Sequence, residues 1–515
     1  MATAKIDFEK FRLRPFVERL IGLGEVEIHE EPVALAELSA IIESTPKATL
    51  FKQAGPQRYE MVASVLGSRS RMAAAFGVGE RDVPLEYMRR MATPQPVAEV
   101  PSKDAPVHAV VKTGDAIDLA ALPFHIQHEY DGCTYISAAI DYSVDPATGK
   151  TNVGCRRLML RDRSTMRSNL TAESDLKRIY RGCVERKEKL PVSFAVGSHP
   201  LDFIAAGMRI PSDEFGLVGT LRGEPVPMVR GVTNGVLAPA DAELVIEGYF
   251  DELGWREKEG PYGEFWGFYG PVHPDPVFHV TAITMRRDVL HQTVLHGCRK
   301  LERMEATHLF CVNAEAAMWR TLRAAGIEPT AVCSVTSVAS LQHARVALKR
   351  GQEGEARKAI DALFAMGPVK HVTIVDDDVD PYSDAEVSWA MSTRFRADRD
   401  LVLAHGCEAF YMDPTADEQH RVTKIGFDAT APYGVRETIE SRRPLPPHLH
   451  PAPRYQTVRQ ALEAGPKYFL QLMETLGSQD GREIALELGR LHGEGAIDRL
   501  ENGEWTLKRP QEQVR

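Results

Sequence analysis

Between Ala105 and about Leu290 the chain is a succession of short strand-like runs: AVVKT, ISAAIDYSV, RRLMLRD, VSFAVG, ELVIEGYF and VFHVTAITM. Gly- and Pro-containing turns separate them. Short runs rich in β-branched and aromatic residues with turns between them predict a largely antiparallel β domain. One helix interrupts it, because Leu176, Ile179, Tyr180, Cys183 and Val184 repeat at helical spacing behind Ser174, a suitable N-cap. A second helical stretch runs from about Arg303 to Ala325 and stops at Gly326, connecting the β domain to the C-terminal part of the chain. Beyond it, AVCSVTSVA, a helix through ALKRGQEGEARKAIDALFAMG, the strand HVTIVDDD and the helix DAEVSWAMSTRF alternate in an α/β manner.

With 515 residues the chain has room for several units, and its fold class is multidomain α+β and α/β. We place an N-terminal α+β region at 1–100, including the helical PVALAELSAIIE, with a linker from Thr93 to Asp104. The β domain then covers 101–300, the connecting helix 301–328, a C-terminal α/β domain 329–442, and a Pro-rich link with a helical tail 443–515. The tail is expected to pack on the body or on a partner subunit. Lys+Arg 62 against Asp+Glu 72 leaves a net charge of −10, which argues against nucleic acid or an anionic membrane as partner. No apolar run is long enough to span a bilayer, and Asp7, Glu9 and Lys10 stand where a signal peptide needs an apolar core. The seven cysteines are widely spaced with no CxxC pair, which disfavours disulfides and thiolate zinc. The chain reads as cytoplasmic.

The segment KEGPYGEFWGFYG carries the most chemistry. Gly260, Pro261, Tyr262 and Gly263 predict a tight bend that aims Glu259 and Glu264 at one small volume. Two carboxylates side by side resist joint ionisation, so one keeps a proton near neutrality, as a general acid must. Tyr262, Phe265, Trp266, Phe268 and Tyr269 would supply an apolar wall. Read blandly, the same segment is a polar loop over a structural aromatic cluster. Arg156 and Arg157, in a largely apolar strand, call for an anionic partner: a substrate carboxylate, a phosphate, or the Glu259/Glu264 pair itself. Strict alternation sets Asn152 and Arg157 on opposite faces unless the strand bulges near Gly154. Glu214 and Asp175 each read as helix N-terminal acids, but with Asn152 they would make a hard-oxygen site for magnesium or manganese. The run Asp376, Asp377, Asp378, Asp380 lacks EF-hand spacing and is read as closing the strand HVTIV and capping the helix near Asp384. Glu247 is read as structural, and His448 and His450 as surface loop.

In this order the pieces resemble the UbiD family of prenylated-flavin-dependent decarboxylases. The likeness runs from about Val26 to Tyr433. It rests on N-x-G-x-x-R (Asn152, Gly154, Arg157), EFGLVGTLRG after Pro211, EGPYGE (Glu259 to Glu264), VDDDVD with the following V-x-WA-x-x-TR, and TKIGFDAT (Thr423 to Thr430). The resemblance implies a split β-barrel-like cofactor domain joined by a helix to a C-terminal α/β oligomerisation domain. It implies prenylated FMN held through its phosphate by manganese (or magnesium) with potassium. By the same resemblance Asn152 and Glu214 bind the metal, and the third ligand, often histidine in the family, falls to Asp175, with Glu173 as second choice. Cofactor contacts carry over to Asn152, Cys155, Arg156, Arg157, Arg167, Ser168, Asn169, Glu214 and Lys424. The catalytic trio carries over to Arg157, Glu259 and Glu264, with Glu264 as proton donor.

The activity implied is reversible, non-oxidative decarboxylation of an aromatic, heteroaromatic or α,β-unsaturated carboxylic acid through a covalent adduct with the modified flavin. The aromatic cluster favours an aromatic substrate. A flavin prenyltransferase would supply the cofactor, and the assembly would be a homodimer or homohexamer. Two rivals stand beside this reading: a magnesium-dependent hydrolase or transferase using Asp376 to Asp380, and a non-catalytic flavin carrier.

Overall fold

Six strands of the β region close into a barrel in the computed structural model, which describes residues 6–210, 213–336, 342–349, 353–432 and 443–508. They are β1 (Tyr135–Val144), β2 (Thr151–Leu160), β3 (Thr165–Ser168), β4 (Leu190–Val196), β5 (Leu244–Phe250) and β6 (Val277–Met285). The neighbours run β5-β4-β1-β2-β3-β6, and β6 pairs back to β5. Every one of these pairings is antiparallel. Closure leaves no open strand edge in the ring.

Alternation along these strands gives the barrel two apolar faces. One holds Ile136, Leu158, Phe194, Ile246, Phe250 and Phe278, and it is plugged by helix α1 (Asp175–Arg186) through Leu176, Ile179, Tyr180 and Cys183. Ser174 caps α1 by accepting from the Lys177 amide at 3.2 Å, as its sequence predicts. Burying each such side chain stabilises the fold by roughly 1.5–3 kcal/mol. The other face, with Ile140, Tyr142 and Val153, is covered by helices that include α2 (Glu214–Arg222). Asp213 caps α2 by accepting from the amides of Phe215 and Gly216. A Cβ on Gly219 would sit 2.9 Å from the Glu224 carbonyl, so α2 approaches its neighbours as only glycine permits. Pro211 and Ser212, which precede it in sequence, lie outside the described residues.

Helix α3 (Glu305–Ala324) leads away from the barrel and ends before Gly326, whose φ is +73°. Its Met318 and Leu322 join the core under a five-stranded sheet. That sheet runs Pro329–Ser334, His343–Leu348, His371–Asp376, Arg421–Asp428, Leu401–Glu408, with two parallel pairings at its centre. Two expectations are corrected by this sheet. AVCSVTSVA is a strand only to Ser334, residues 337–341 lying outside the described set. Ala347 and Leu348 belong to a strand, and the helix begins after Gly354, at Glu355; residues 350–352 are not described.

The supposed linker holds a strand, Val97–Glu99, which pairs with Val226–Arg230. The N-terminal sheet (Val26–His29, Ala48–Ala54, Tyr59–Ala63) is completed by His291–Thr293 from beyond the barrel, so the first hundred residues and the barrel fold around one another. The tail forms three helices and a hairpin whose core is its own: Val458, Leu462, Leu472, Ile484, Leu488 and Leu491.

Candidate active site

Arg157 stands in β2 with a guanidinium that is 6% exposed. Removing it from water costs several kcal/mol unless anions meet it. Two do. Nε and Nη2 donate to Glu259 Oε1 and Oε2, each at 2.9 Å, and Nη1 donates to Glu264 Oε1. Tyr262 lies under the cation, with its ring centre 4.4 Å from Cζ. Burial opposes the charge, but the bonds to Glu259 and the two acidic charges outweigh it, and the Arg157 pKa is raised.

The bend predicted at Gly260–Gly263 is what brings the acids to one cation. Glu257–Glu259 pairs with His273–Asp275, and Tyr262–Gly263 pairs with Tyr269–Gly270. Gly260 turns the chain between these ribbons at φ +84°. The sequence suggests two acids side by side; they meet through the guanidinium instead. Pairing of β2 with β1 is irregular opposite Arg157, the bulge falling on β1 between Ile136 and Ala139, and β2 shows none at Gly154. Pairing slips there because β1 fits two residues, Ser137 and Ala138, opposite Arg157 alone.

Two residues to which the sequence gives no role touch this cluster. His273 lies directly across the ribbon from Glu259, with Nε2 3.4 Å from Glu259 Oε2 and Nδ1 2.7 Å from Asp275 Oδ2. His296 Nδ1 is 2.9 Å from the Tyr262 hydroxyl, and burial, then Arg157, push its pKa down to about 3. With Arg157 on both Glu259 oxygens, protein already supplies the cation here.

Asn152 and Glu214 lie close together. Glu214 Oε2 accepts from the Val153 amide at 2.9 Å, and Asn152 Nδ2 donates to Asp141 Oδ2 at 2.6 Å. Asp141 is not foreseen from sequence; the signal for it is an aspartate inside the apolar strand ISAAIDYSV. It is fully buried beside Arg156, whose Nε is 2.9 Å from Oδ1. Burial raises its pKa to about 7, against Arg156 and helped by the Glu214 charge. Burial likewise raises Glu214, and Asp175 adds to it. Asp141 takes the charge of Arg156, whereas Glu214 is met, among the described residues, by backbone amides only, so Glu214 with the Asn152 amide offers oxygen donors of the kind a hard divalent cation takes. Asp175, at the start of α1, takes Arg178 and Arg209. Glu173 is 73% exposed and paired with Lys177, so it stands outside this group.

Beside the Arg157 cluster lies a cavity of about 690 Å³, of the size that holds cofactors. Cys155, Arg156, Arg157 and Asn169 line it on the barrel side, with Glu264 and His273. Phe265, Trp266, Phe268, Tyr269, Phe310 and Tyr411 make the remaining wall largely aromatic. Burial drives the Cys155 thiol up to about 12, so it is a neutral wall. Ser168 is buried with its hydroxyl unbonded, and Arg167 donates to the Lys258 carbonyl. Glu264 also borders a second cleft of about 550 Å³ lined by Ser39, Glu43 and His128.

Lys424 does not join this group. It lies on Arg421–Asp428, and its Nζ donates to the carbonyls of Phe364 (2.7 Å) and Gly367 (2.6 Å), where it closes the end of a helix. The acidic run is likewise committed elsewhere. Arg394 donates to Asp376 and to both oxygens of Asp378, while Arg81 and the Tyr382 amide take Asp380. The helix at Asp384 is capped by Ser383, not by these aspartates. Glu247 is structural: it accepts from the amides of Val232 and Thr233.

Two carboxylates on one guanidinium beside a cofactor-sized cavity are the equipment of a proton-transferring enzyme. Comparison with known proteins supplies the particular kind. Residues 98–299 match the 3-octaprenyl-4-hydroxybenzoate carboxy-lyase Rift-related domain and residues 307–429 the C-terminal domain of the same carboxy-lyase. The chain belongs to the UbiD family and is a carboxy-lyase. It is 29% identical over 433 residues to an anhydromevalonate phosphate decarboxylase of Methanosarcina mazei, covering 83% of this chain and 98% of that protein. A Streptomyces phenolic acid decarboxylase is 28% identical over 82% of this chain and 92% of its own length. The UbiD-class enzyme HmfF of Pelotomaculum thermopropionicum, solved with FMN, superposes with a TM-score of 0.78 at 29% identity, over 84% of this chain and 97% of that one. No helix among the described residues is long and apolar enough to cross a membrane.

Proposed function

We propose that this carboxy-lyase catalyses the reversible, non-oxidative decarboxylation of an aromatic or heteroaromatic carboxylic acid, with Glu264 as proton donor. The observation that carries this reading is Glu264 at the cavity edge, on the same guanidinium as the fully buried Glu259. Glu259 fixes Arg157, and Arg157 fixes Glu264. After the carboxyl group leaves as carbon dioxide, Glu264 gives its proton to the carbon that bore it. The reverse reaction takes that proton back. The second cleft gives Glu264 a separate solvent side from which to recover a proton while the first is filled.

HmfF has been solved with FMN and, in an evolved dimeric form, with prFMN, and we extend prenylated FMN to this chain. When bound it supplies the electron sink that an sp² carbanion lacks. Asn152, Glu214 and Asp175 would hold manganese or magnesium at its phosphate, with potassium nearby. Cys155, Arg156, Arg157, Arg167, Ser168 and Asn169 would contact the cofactor. The aromatic wall from Phe265 to Tyr269 supports a flat substrate, since offset and edge-on ring contacts favour aromatic guests. A flavin prenyltransferase would supply the cofactor, and a homodimer or hexamer would assemble through the C-terminal domain.

The experiment is Glu264→Gln in protein co-produced with a flavin prenyltransferase, assayed against a panel of aromatic acids. Carbon dioxide release and deuterium exchange at the vacated carbon should both fall by about 10²–10⁴-fold. Full activity in that variant would remove Glu264 from the role.

A further inference from the structure

Glu259 is met from two sides. On one side Arg157 occupies both its oxygens. On the other His273 presents Nε2 at 3.4 Å from Oε2. The ring has little freedom, because Nδ1 lies 2.7 Å from Asp275 Oδ2 and 2.9 Å from Thr171 Oγ1. Asp275 is itself held, its Oδ1 accepting from the Leu170 amide at 2.8 Å. Asp275 and Glu259 are fully buried, and the His273 side chain is only 12% exposed, at the cavity wall. The ribbon register makes this arrangement obligatory: Glu259 opposes His273, and Glu257 opposes Asp275.

The result is an alternating row of charge-bearing groups, Asp275–His273–Glu259–Arg157–Glu264. We propose that His273 is a positioning residue for the proton donor: clamped by Asp275 and Thr171, it shares the charge of Glu259 and so sets how much of Arg157 is available to Glu264. The charged groups that bear on the ring are Asp275 and Glu259 from the ribbon and Arg157 from β2. Burial disfavours an imidazolium there, but the bond to Asp275 and the two acidic charges outweigh it, so the pKa is raised. The ring therefore stays cationic past its ordinary range and loses that charge as pH rises through the raised value. While it is cationic, Glu259 is doubly compensated and Arg157 acts more fully on Glu264, favouring its ionised form. When the imidazolium is lost, negative charge accumulates beside Glu264, which then holds its proton more tightly.

This inference rests on the reading of Glu264 as proton donor, but its test does not need turnover. Infrared difference spectra across a pH titration of the unliganded protein give the carboxyl band of Glu264 as the one that Glu264→Gln abolishes. In His273→Gln its titration midpoint should move up by about one pH unit, the scale on which a unit charge a few ångströms away acts. His273→Lys, which restores a cation, should bring the midpoint back towards the wild type. If His273→Gln does not fold, Asp275→Asn leaves the ring in place and should move the midpoint upward by a smaller amount. A midpoint that stays put in whichever of the two folds overturns the proposal. Full activity in Glu264→Gln together with a shifted titration in His273→Gln would instead defeat the proton-donor reading and leave this coupling standing.

Discussion

Arg157 and Arg394 occupy matching situations in the two halves of the molecule. Each guanidinium is buried between two acids, and each lies over an aromatic ring, Tyr262 in one case and Trp389 in the other. The difference is where the bidentate grip goes. Arg394 spends its fork on Asp378, and its other acid, Asp376, also accepts from the Ala431 amide at 2.6 Å. Asp378 borders a surface cleft, yet both of its oxygens point at the guanidinium. Arg157 spends its fork on the innermost acid, Glu259, and holds the outer one, Glu264, through a single oxygen at the junction of two clefts. The first arrangement locks a strand end to a helix. The second leaves one carboxyl group held through one oxygen at the cavity wall.

The largest effect should come from Arg157→Met. It strands Glu259 in the interior, so we expect about 3–5 kcal/mol of lost stability, read by denaturant unfolding, and no measurable carbon dioxide release. Arg394→Met should be comparably destabilising, by about 3–5 kcal/mol, while turnover per folded, cofactor-loaded molecule stays at the wild-type value. A matching loss of turnover there would erase the contrast between the two clusters. The smallest effect separates the candidate metal ligands. Asp175→Ala should reduce bound manganese, read by metal analysis of purified protein, whereas Glu173→Ala should retain it and change stability by less than about 0.5 kcal/mol.

The contrast is partly legible in the sequence. The helical spacing from Leu176 to Val184 and the strand-like runs mark the barrel and its plug, because burial on one face writes a period into the chain. Glu259, Glu264 and Arg157 are legible as an arginine seeking anions beside a bend that supplies two. His273 is not, since its partner stands fourteen residues away and only strand register joins them. Asp141 hides for a related reason: inside an apolar strand, an acid reads as an anomaly until Arg156 and Asn152 are seen across the ladder. Lys424 misleads because proximity to a familiar motif says nothing about which carbonyls a lysine will find. The bulge between Ile136 and Ala139 is not foreseen, as a slip in pairing belongs to two segments and the sequence shows one at a time.

The loop that leaves Glu259 and returns at His273 is pinned at its root by that cross-strand pair, while its far end presents Phe265, Trp266, Phe268 and Tyr269 to the cavity, with Trp266 stacked 4.9 Å from Phe410. A change of length or ring content in the outer half of this excursion would therefore reshape the cavity wall while the pair at its base keeps its register.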